Sequence, residues 1–270
     1  MHSISEANVC QGQAFSIGID GPVATITLER AFKRNALDDQ TVDGLGKFFE
    51  TVPENIEVII LCGRGHHFSV GLDLANITPH TVTQAMQHSR AWQRAFDRIQ
   101  YCRVPVIAVL KGAVFGGGLE MACACHIRIA EASTLYRLPE CQLGIFVGAG
   151  GSVRISRLAG LAVLTDMLLT GRTLNASEGM HAGLAQYLVE NGQGLDKARE
   201  LAQKIRRNTP TANFGVIQIL PRLAEQSDQA GLLTEAMMLA IAQSEPETMT
   251  RLAQAVKATR NAHCSGQRQR

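Results

Sequence analysis

Residues Lys111 to Gly151 read KGAVFGGGLEMACACHIRIAEASTLYRLPECQLGIFVGAGG and contain two glycine clusters, each tied to one glutamate. Gly116, Gly117 and Gly118 run directly into Leu119-Glu120-Met121-Ala122. Backbone free to take unusual φ/ψ therefore leads into a helix N-terminus, with Glu120 in its first turn. Farther on, Leu138-Pro139-Glu140 closes a turn, and Gly148, Gly150 and Gly151 open a second helical pattern at Ser152-Val153-Arg154-Ile155. Two carboxylates thus flank exposed backbone donors, which are the parts needed to stabilise an enolate while moving protons. Each acid has a plainer account when taken singly. Glu120 would gain about 0.3–1 kcal/mol from the helix dipole without any catalysis, and Glu140 would be a surface acid after a proline. Their joint occurrence in this order favours chemistry.

Upstream, Val104 to Leu110 is a continuous apolar run that suits a strand buried on both faces. Before it, His66-His67-Phe68-Ser69-Val70-Gly71-Leu72-Asp73-Leu74 forms a loop between a strand at Val58 to Leu61 and a helix expected over Thr83 to Ile99. The chain opens with two short runs, Phe15 to Ile19 and Val23 to Leu28, joined by Asp20-Gly21-Pro22, a hairpin signal. Asp38 is placed to cap a helix reaching Phe49. Downstream, helical patterns at Ser152 to Leu158 and Ala162 to Thr170 precede a helix start at Asn175 and a late strand over Leu184 to Val189. From Gly194 to Ala262 the period is helical, broken at Pro210, Pro221 and Pro246. The expected fold is an α/β core on a parallel sheet over residues 1–200, a helical C-terminal region over 201–262, and a disordered tail at 263–270.

With 270 residues, 46% hydrophobic and 19% charged, the chain can bury a full core. No apolar run is long enough for a membrane span and no secretory signal is visible, so a cytoplasmic protein with no membrane partner is expected. Its 26 Lys+Arg against 24 Asp+Glu leave +2, which gives no case for nucleic acid. Seven cysteines without a repeating spacing do not make a disulfide framework. Cys123-Ala124-Cys125-His126 lacks a second ligand pair at zinc spacing, so buried, inert thiols and no metal are expected. Arg90, Arg94 and Arg98 would stripe one solvated helix face. The run Gly148 to Val153 lacks the third spaced glycine of a dinucleotide site, and neither a phosphate loop nor a nucleophile elbow occurs.

The order GGGLE, LPE, LGI, GAGG resembles the enoyl-CoA hydratase (crotonase) superfamily, and the resemblance extends over about residues 12 to 260. It implies a crotonase-like ββα spiral core with a C-terminal helical region used for trimerisation. RAFKRNAL resembles the segment that curls round the coenzyme A nucleotide, which makes Lys33, Arg34 and Ala36 candidate contacts. FSVGLDL resembles the F-x-x-G-x-D loop, so Val70, Gly71, Leu72, Asp73 and Leu74, with Gly116, join the candidate substrate-binding residues. By position, the N–H groups of Leu72 and Gly117 would form the oxyanion hole, and Glu120 and Glu140 would be catalytic. The implied reaction is hydration of an enoyl-CoA thioester with no cofactor, coenzyme A being part of the substrate, in a homotrimer or dimer of trimers. Isomerase, lyase and thioester hydrolase reactions are the rivals within the superfamily, and a non-catalytic RNA-binding member is the rival outside enzymology.

Several positions depart from the family pattern. Leu74-Ala75 stands where a lysine is common, His126 replaces an aspartate, Val147 a proline, and Arg137 a small residue before Leu-Pro-Glu. The Arg137 guanidinium is a candidate for the acyl pocket, where it would favour a distal carboxylate or hydroxyl; an exposed arginine is the plainer expectation.

Overall fold

A computed structural model describes residues 14–76 and 81–266 of the chain; the side chains of residue 76 and of residues 258–266 are outside the description. The chain groups into two compact units, Met1–Arg206 and Arg207–Arg270.

The first unit opens with β1 (Phe15–Asp20) and β2 (Val23–Leu28), an antiparallel hairpin in which Asp20 pairs with Val23. After it come α1 (Asp39–Glu50), β3 (Val58–Gly63), α2 (Val82–Gln100) and β4 (Val106–Leu110). The Asp38 side chain accepts from the Thr41 N–H at 2.9 Å to start α1, and a Thr81–Gln84 capping box starts α2. The chain continues through β5 (Ala113–Phe115), α3 (Gly117–Ala124), β6 (Ile127–Glu131) and β7 (Leu135–Arg137). It closes with α4 (Gly151–Ala159), α5 (Leu161–Thr170), β8 (Leu174–Asn175), α6 (Ala176–His181), β9 (Tyr187–Val189) and α7 (Gly194–Ile205).

Strands pair in the order β1-β2-β3-β4-β6-β9 in one sheet and β5-β7-β8 in another. All pairings inward of the opening hairpin are parallel in the first sheet, as the uninterrupted apolar runs require. Alternate residues serve opposite faces. Ile59, Leu61, Ala108 and Leu110 pack into the core shared with Leu45, Phe49, Phe96 and Ile99 of α1 and α2, whereas Val58, Ile60, Ile107 and Val109 pack against Ala198, Leu201 and Ala202 of α7.

What places the site is the exit from β4. The chain leaves the large sheet at Lys111, pairs as β5 with β7, and bridges Val114 to Ser69, so α3 begins beside the 69–73 loop. The second sheet and β6 are not separate elements in the sequence reading.

The second unit contains α8 (Pro210–Phe214), a π-helical turn (Gly215–Ile219), α9 (Leu220–Leu223), α10 (Asp228–Ser244) and α11 (Pro246–Gly266). Pro210, Pro221 and Pro246 all fall in first turns, where a missing N–H costs nothing. The helix α11 runs through Gly266, so residues 263–266 are helical rather than part of the expected tail. The start of a chain end has to be read from composition, and the last helical turns here are too polar to distinguish from a tail. Residues 267–270 lie outside the described residues. Among the described residues no helix is long and apolar enough to cross a membrane.

Candidate active site

Glu120 lies in the first turn of α3 and is 3% exposed. Its Oε1 accepts from the N–H groups of Ala149 at 2.8 Å and Gly151 at 2.7 Å, the second at the start of α4. Burial raises its carboxyl above the usual range, while those N–H groups and the Arg154 guanidinium pull it back. The two N–H bonds fix the carboxyl group in place.

Glu140, in the turn after β7, is equally buried, which rules out the surface-acid account. Its pKa is pushed up to about 7, first by burial, against an opposing pull from its own N–H and with a lesser push from the charge of Glu120. Its Oε2 is buried and has no hydrogen-bond partner among the described residues. Gly116, with φ 50° and ψ −127°, starts α3 against this acid. A Cβ there would lie 2.9 Å from Glu140 Oε1 in a conformation L side chains rarely adopt.

The two backbone donors converge on the same place. Leu37 and Asp73 carry the bonds of the bridge around Leu72, Leu37 N–H to Gly71 and Asp73 N–H to Leu37, which leaves the Leu72 N–H outside that ladder. Gly117 is the first residue of α3, where an N–H has no intrahelical acceptor. Gly71 (φ 81°) makes the approach possible, since a Cβ on it would lie 2.7 Å from the Gly117 nitrogen. A cavity of about 250 Å³ is lined by Leu72, Gly117, Glu120 and Glu140, with Ala85, His88, Ser89 and Trp92 of α2 and with Ile145, Phe146, Gly148 and Ala149.

A second cavity of about 460 Å³ is lined by Lys33, Arg34, Ala36, Val70, Leu72, Asp73 and Leu74. Arg34 and Asn35 have φ of 52° and 56°, the curl expected of RAFKRNAL. Asp73 accepts from Lys33 at 2.9 Å and Arg30 at 2.5 Å, and these two hold its carboxyl down at about 2. Gly71 and Gly116 line neither cavity and act through the backbone geometry above. A larger space of about 640 Å³, among Arg34, His66, His67, Lys111 and Glu131, lacks a carboxylate pair beside backbone donors.

The sequence reading missed the α2 wall. Ala85, His88, Ser89 and Trp92 follow i, i+3, i+4, i+7 spacing, and that period was the available signal. His88 and Trp92 both meet Asp39 Oδ1 at 2.7 Å, and the Trp92 ring backs Gly117, where a Cβ would come within 3.1 Å of it. Arg90 and Arg94 are exposed as expected, while Arg98 pairs with Glu50 at 2.8 Å. Arg137 does not line the 250 Å³ cavity that holds Glu120 and Glu140. Cys123 and Cys125 are buried, and burial pushes their thiols to about 11 and about 12.

The family model for enoyl-CoA hydratase/isomerase matches residues 18–261. Over 196 residues the chain is 32% identical to the short-chain-enoyl-CoA hydratase of Clostridium acetobutylicum, covering 72% of this chain and 75% of that one. Over 221 residues it is 30% identical to the 2,3-dehydroadipyl-CoA hydratase of Escherichia coli, covering 81% and 86%. A solved structure from Rhodopseudomonas palustris, provisionally named an enoyl-CoA hydratase, aligns with a TM-score of 0.90 at 48% identity over 95% of this chain and 100% of that one. With the motif order, the two-sheet topology and these matches in agreement, the chain belongs to the enoyl-CoA hydratase/isomerase family and has the crotonase fold.

Proposed function

We propose that this protein adds water across the 2,3-double bond of an acyl-CoA thioester, giving the 3-hydroxyacyl-CoA, with Glu120 and Glu140 as its acid–base pair. The observation that carries this reading is that both glutamates and the backbone of Leu72 and Gly117 line one cavity. The two N–H groups receive the thioester oxygen as it gains charge, each contributing about 2.7–4 kcal/mol in the manner of other oxyanion-hole donors. Glu120 takes a proton from water as its oxygen bonds to C3. Glu140, kept protonated by burial, delivers a proton to C2, and the proton held by Glu120 then restores the pair. The presence of both glutamates favours hydration over isomerisation, because one carboxyl group can activate water while the other supplies the C2 proton.

Leu72 lines both cavities, which suits a thioester that enters between them with its nucleotide beside Lys33, Arg34 and Ala36. Val70, Asp73 and Leu74 wall the same entry. Water addition leaves the net oxidation state unchanged, so the reaction calls for no redox cofactor. Leu232, Leu233, Met237, Leu239 and Ile241 of α10 are exposed, and covering them is the role assigned to a trimer or dimer of trimers. The cytoplasm remains the assigned location.

The test is turnover of short, long, branched, aromatic and carboxylated enoyl-CoA thioesters, read as loss of the conjugated thioester absorbance. Glu120→Gln and Glu140→Gln should each lower kcat by at least about 100-fold. Wild-type-like hydration by either folded variant refutes the assignment.

A further inference from the structure

The loop that fixes Glu120 is itself held by a polar seam along α2. Ser89 Oγ donates to the Gly148 carbonyl at 2.6 Å and Gln93 Nε2 donates to the same oxygen at 3.0 Å. Two turns farther on, Arg154 of α4 reaches back to the same helix. Its Nε donates to Gln100 Oε1 at 2.6 Å and its Nη2 pairs with Asp97 Oδ1, while its Nη1 donates to the Ala149 carbonyl at 2.8 Å. Ala149 is also one of the two residues whose N–H groups hold Glu120. A single peptide segment therefore takes a guanidinium on its carbonyl and offers N–H groups to the carboxylate. The Arg154 side chain is 7% exposed, so its fork is spent inside the protein and not on solvent.

We propose that Arg154, anchored to α2 by Gln100 and Asp97, is a positioning residue that locks the Gly148–Gly151 loop in the geometry that holds Glu120 over the reacting carbon. This deepens the hydratase reading and rests on it for the link to turnover. The guanidinium geometry matters because a planar fork can serve Ala149, Gln100 and Asp97 at once, which a lysine cannot do. The charged and titratable groups around Glu120 are Glu140 from the turn after β7, His88 on the α2 wall, Cys123 in its own helix, and Arg154, whose charge Asp97 partly offsets. Among these, Arg154 is the cation whose charge favours ionised Glu120.

The experiment compares wild type with Arg154→Met, Arg154→Lys and Gln100→Leu. It reads kcat and KM across pH for an enoyl thioester, and the Glu120 titration from carboxyl carbon chemical shifts assigned with Glu120→Gln. Arg154→Met should lower kcat by at least about tenfold with KM within about threefold, and should raise the Glu120 midpoint by about half a unit or more. Arg154→Lys should restore most of the midpoint but only part of kcat. Gln100→Leu keeps the charge and loses the anchor, so it should lower kcat with the midpoint unchanged. Should Arg154→Met fail to fold, Arg154→Lys and Gln100→Leu still decide the matter. Wild-type kcat and midpoint in the folded variants overturn the proposal, as does a loss of kcat that only tracks loss of folded protein. A wild type that turns over no enoyl thioester sinks the hydratase reading, and the Glu120 titration then still decides the role of Arg154.

Discussion

Gly151 donates its N–H to Glu120 Oε1 across 2.7 Å, and a Cβ on Gly151 would lie 2.7 Å from Glu120 Cγ. One residue is thus both the clamp on the base and the space the base occupies. Gly151→Ala should push Glu120 out of register and lower hydratase kcat by at least about tenfold, with about 1–3 kcal/mol lost from overpacking. Steady-state kinetics with urea denaturation check both numbers. Unchanged kcat would mean that the loop yields at little cost and that Glu120 does not depend on it.

Asp73 ties the curled 30–34 segment to the loop carrying Leu72, because it accepts from both Arg30 and Lys33. Lys33 therefore reaches any phosphate with part of its charge already engaged. Asp73→Asn keeps the shape and weakens both bonds, so KM for coenzyme A thioesters should rise about tenfold while kcat changes by less than about threefold. Stability should fall by about 1.5–3 kcal/mol, the range for hydrogen bonds to a charged group. A KM equal to wild type would remove Asp73 from the substrate-binding residues.

His126 is half-buried, accepting on Nδ1 from the Val106 N–H at 2.9 Å with Nε2 3.0 Å from the Gln100 carbonyl. The first bond makes Nε2 the protonated nitrogen, so the ring is neutral and bridges the two backbone groups. Burial lowers its pKa from 6.5 to about 4. The unfolded chain then takes up a proton that the folded chain refuses, so stability is full above about 6.5 and is lost as pH falls toward 4, by up to about 3 kcal/mol. His126→Gln should remove that part of the pH dependence in urea denaturation. An identical acid slope in the variant would show that His126 is not its source.

The glycine–glutamate stretch and the buried strand before it were legible because each is local: periodicity and turn chemistry over a few residues decide them. The small sheet was not, since β8 is two residues long and β5 and β7 three each, too short for any period to register. β6 hides behind Arg128, which is fully buried and donates to the carbonyls of Cys125 at 2.6 Å and Leu184 at 2.8 Å. Nothing in the composition near Arg128 shows that a distant carbonyl will take its charge. The same holds for Arg154, whose partners on α2 are more than fifty residues away. In the site, the two glutamates could be singled out from their glycine neighbours and the motif order, whereas the polar seam that holds one of them requires the packed helix.

Glu140 gives the sharpest prediction, because its role has a sign. In the fold its pKa is about 7, against 4.5 for an ordinary glutamate, chiefly because burial disfavours the charge. Hydration needs this acid protonated to supply C2, so hydration kcat should be highest below about 7 and fall as pH rises through it. Dehydration of the 3-hydroxyacyl thioester starts from the same singly protonated pair with its proton on Glu120, so its kcat should fall over the same window. Glu140→Gln should abolish both limbs together with exchange of the C2 proton. Stability must follow the same titration: ionising the buried acid opposes folding, so wild type should lose up to about 3 kcal/mol relative to Glu140→Gln as pH climbs from about 4.5 to 7. If neither hydration nor dehydration loses rate as pH rises through 7, Glu140 is not the group that moves the C2 proton.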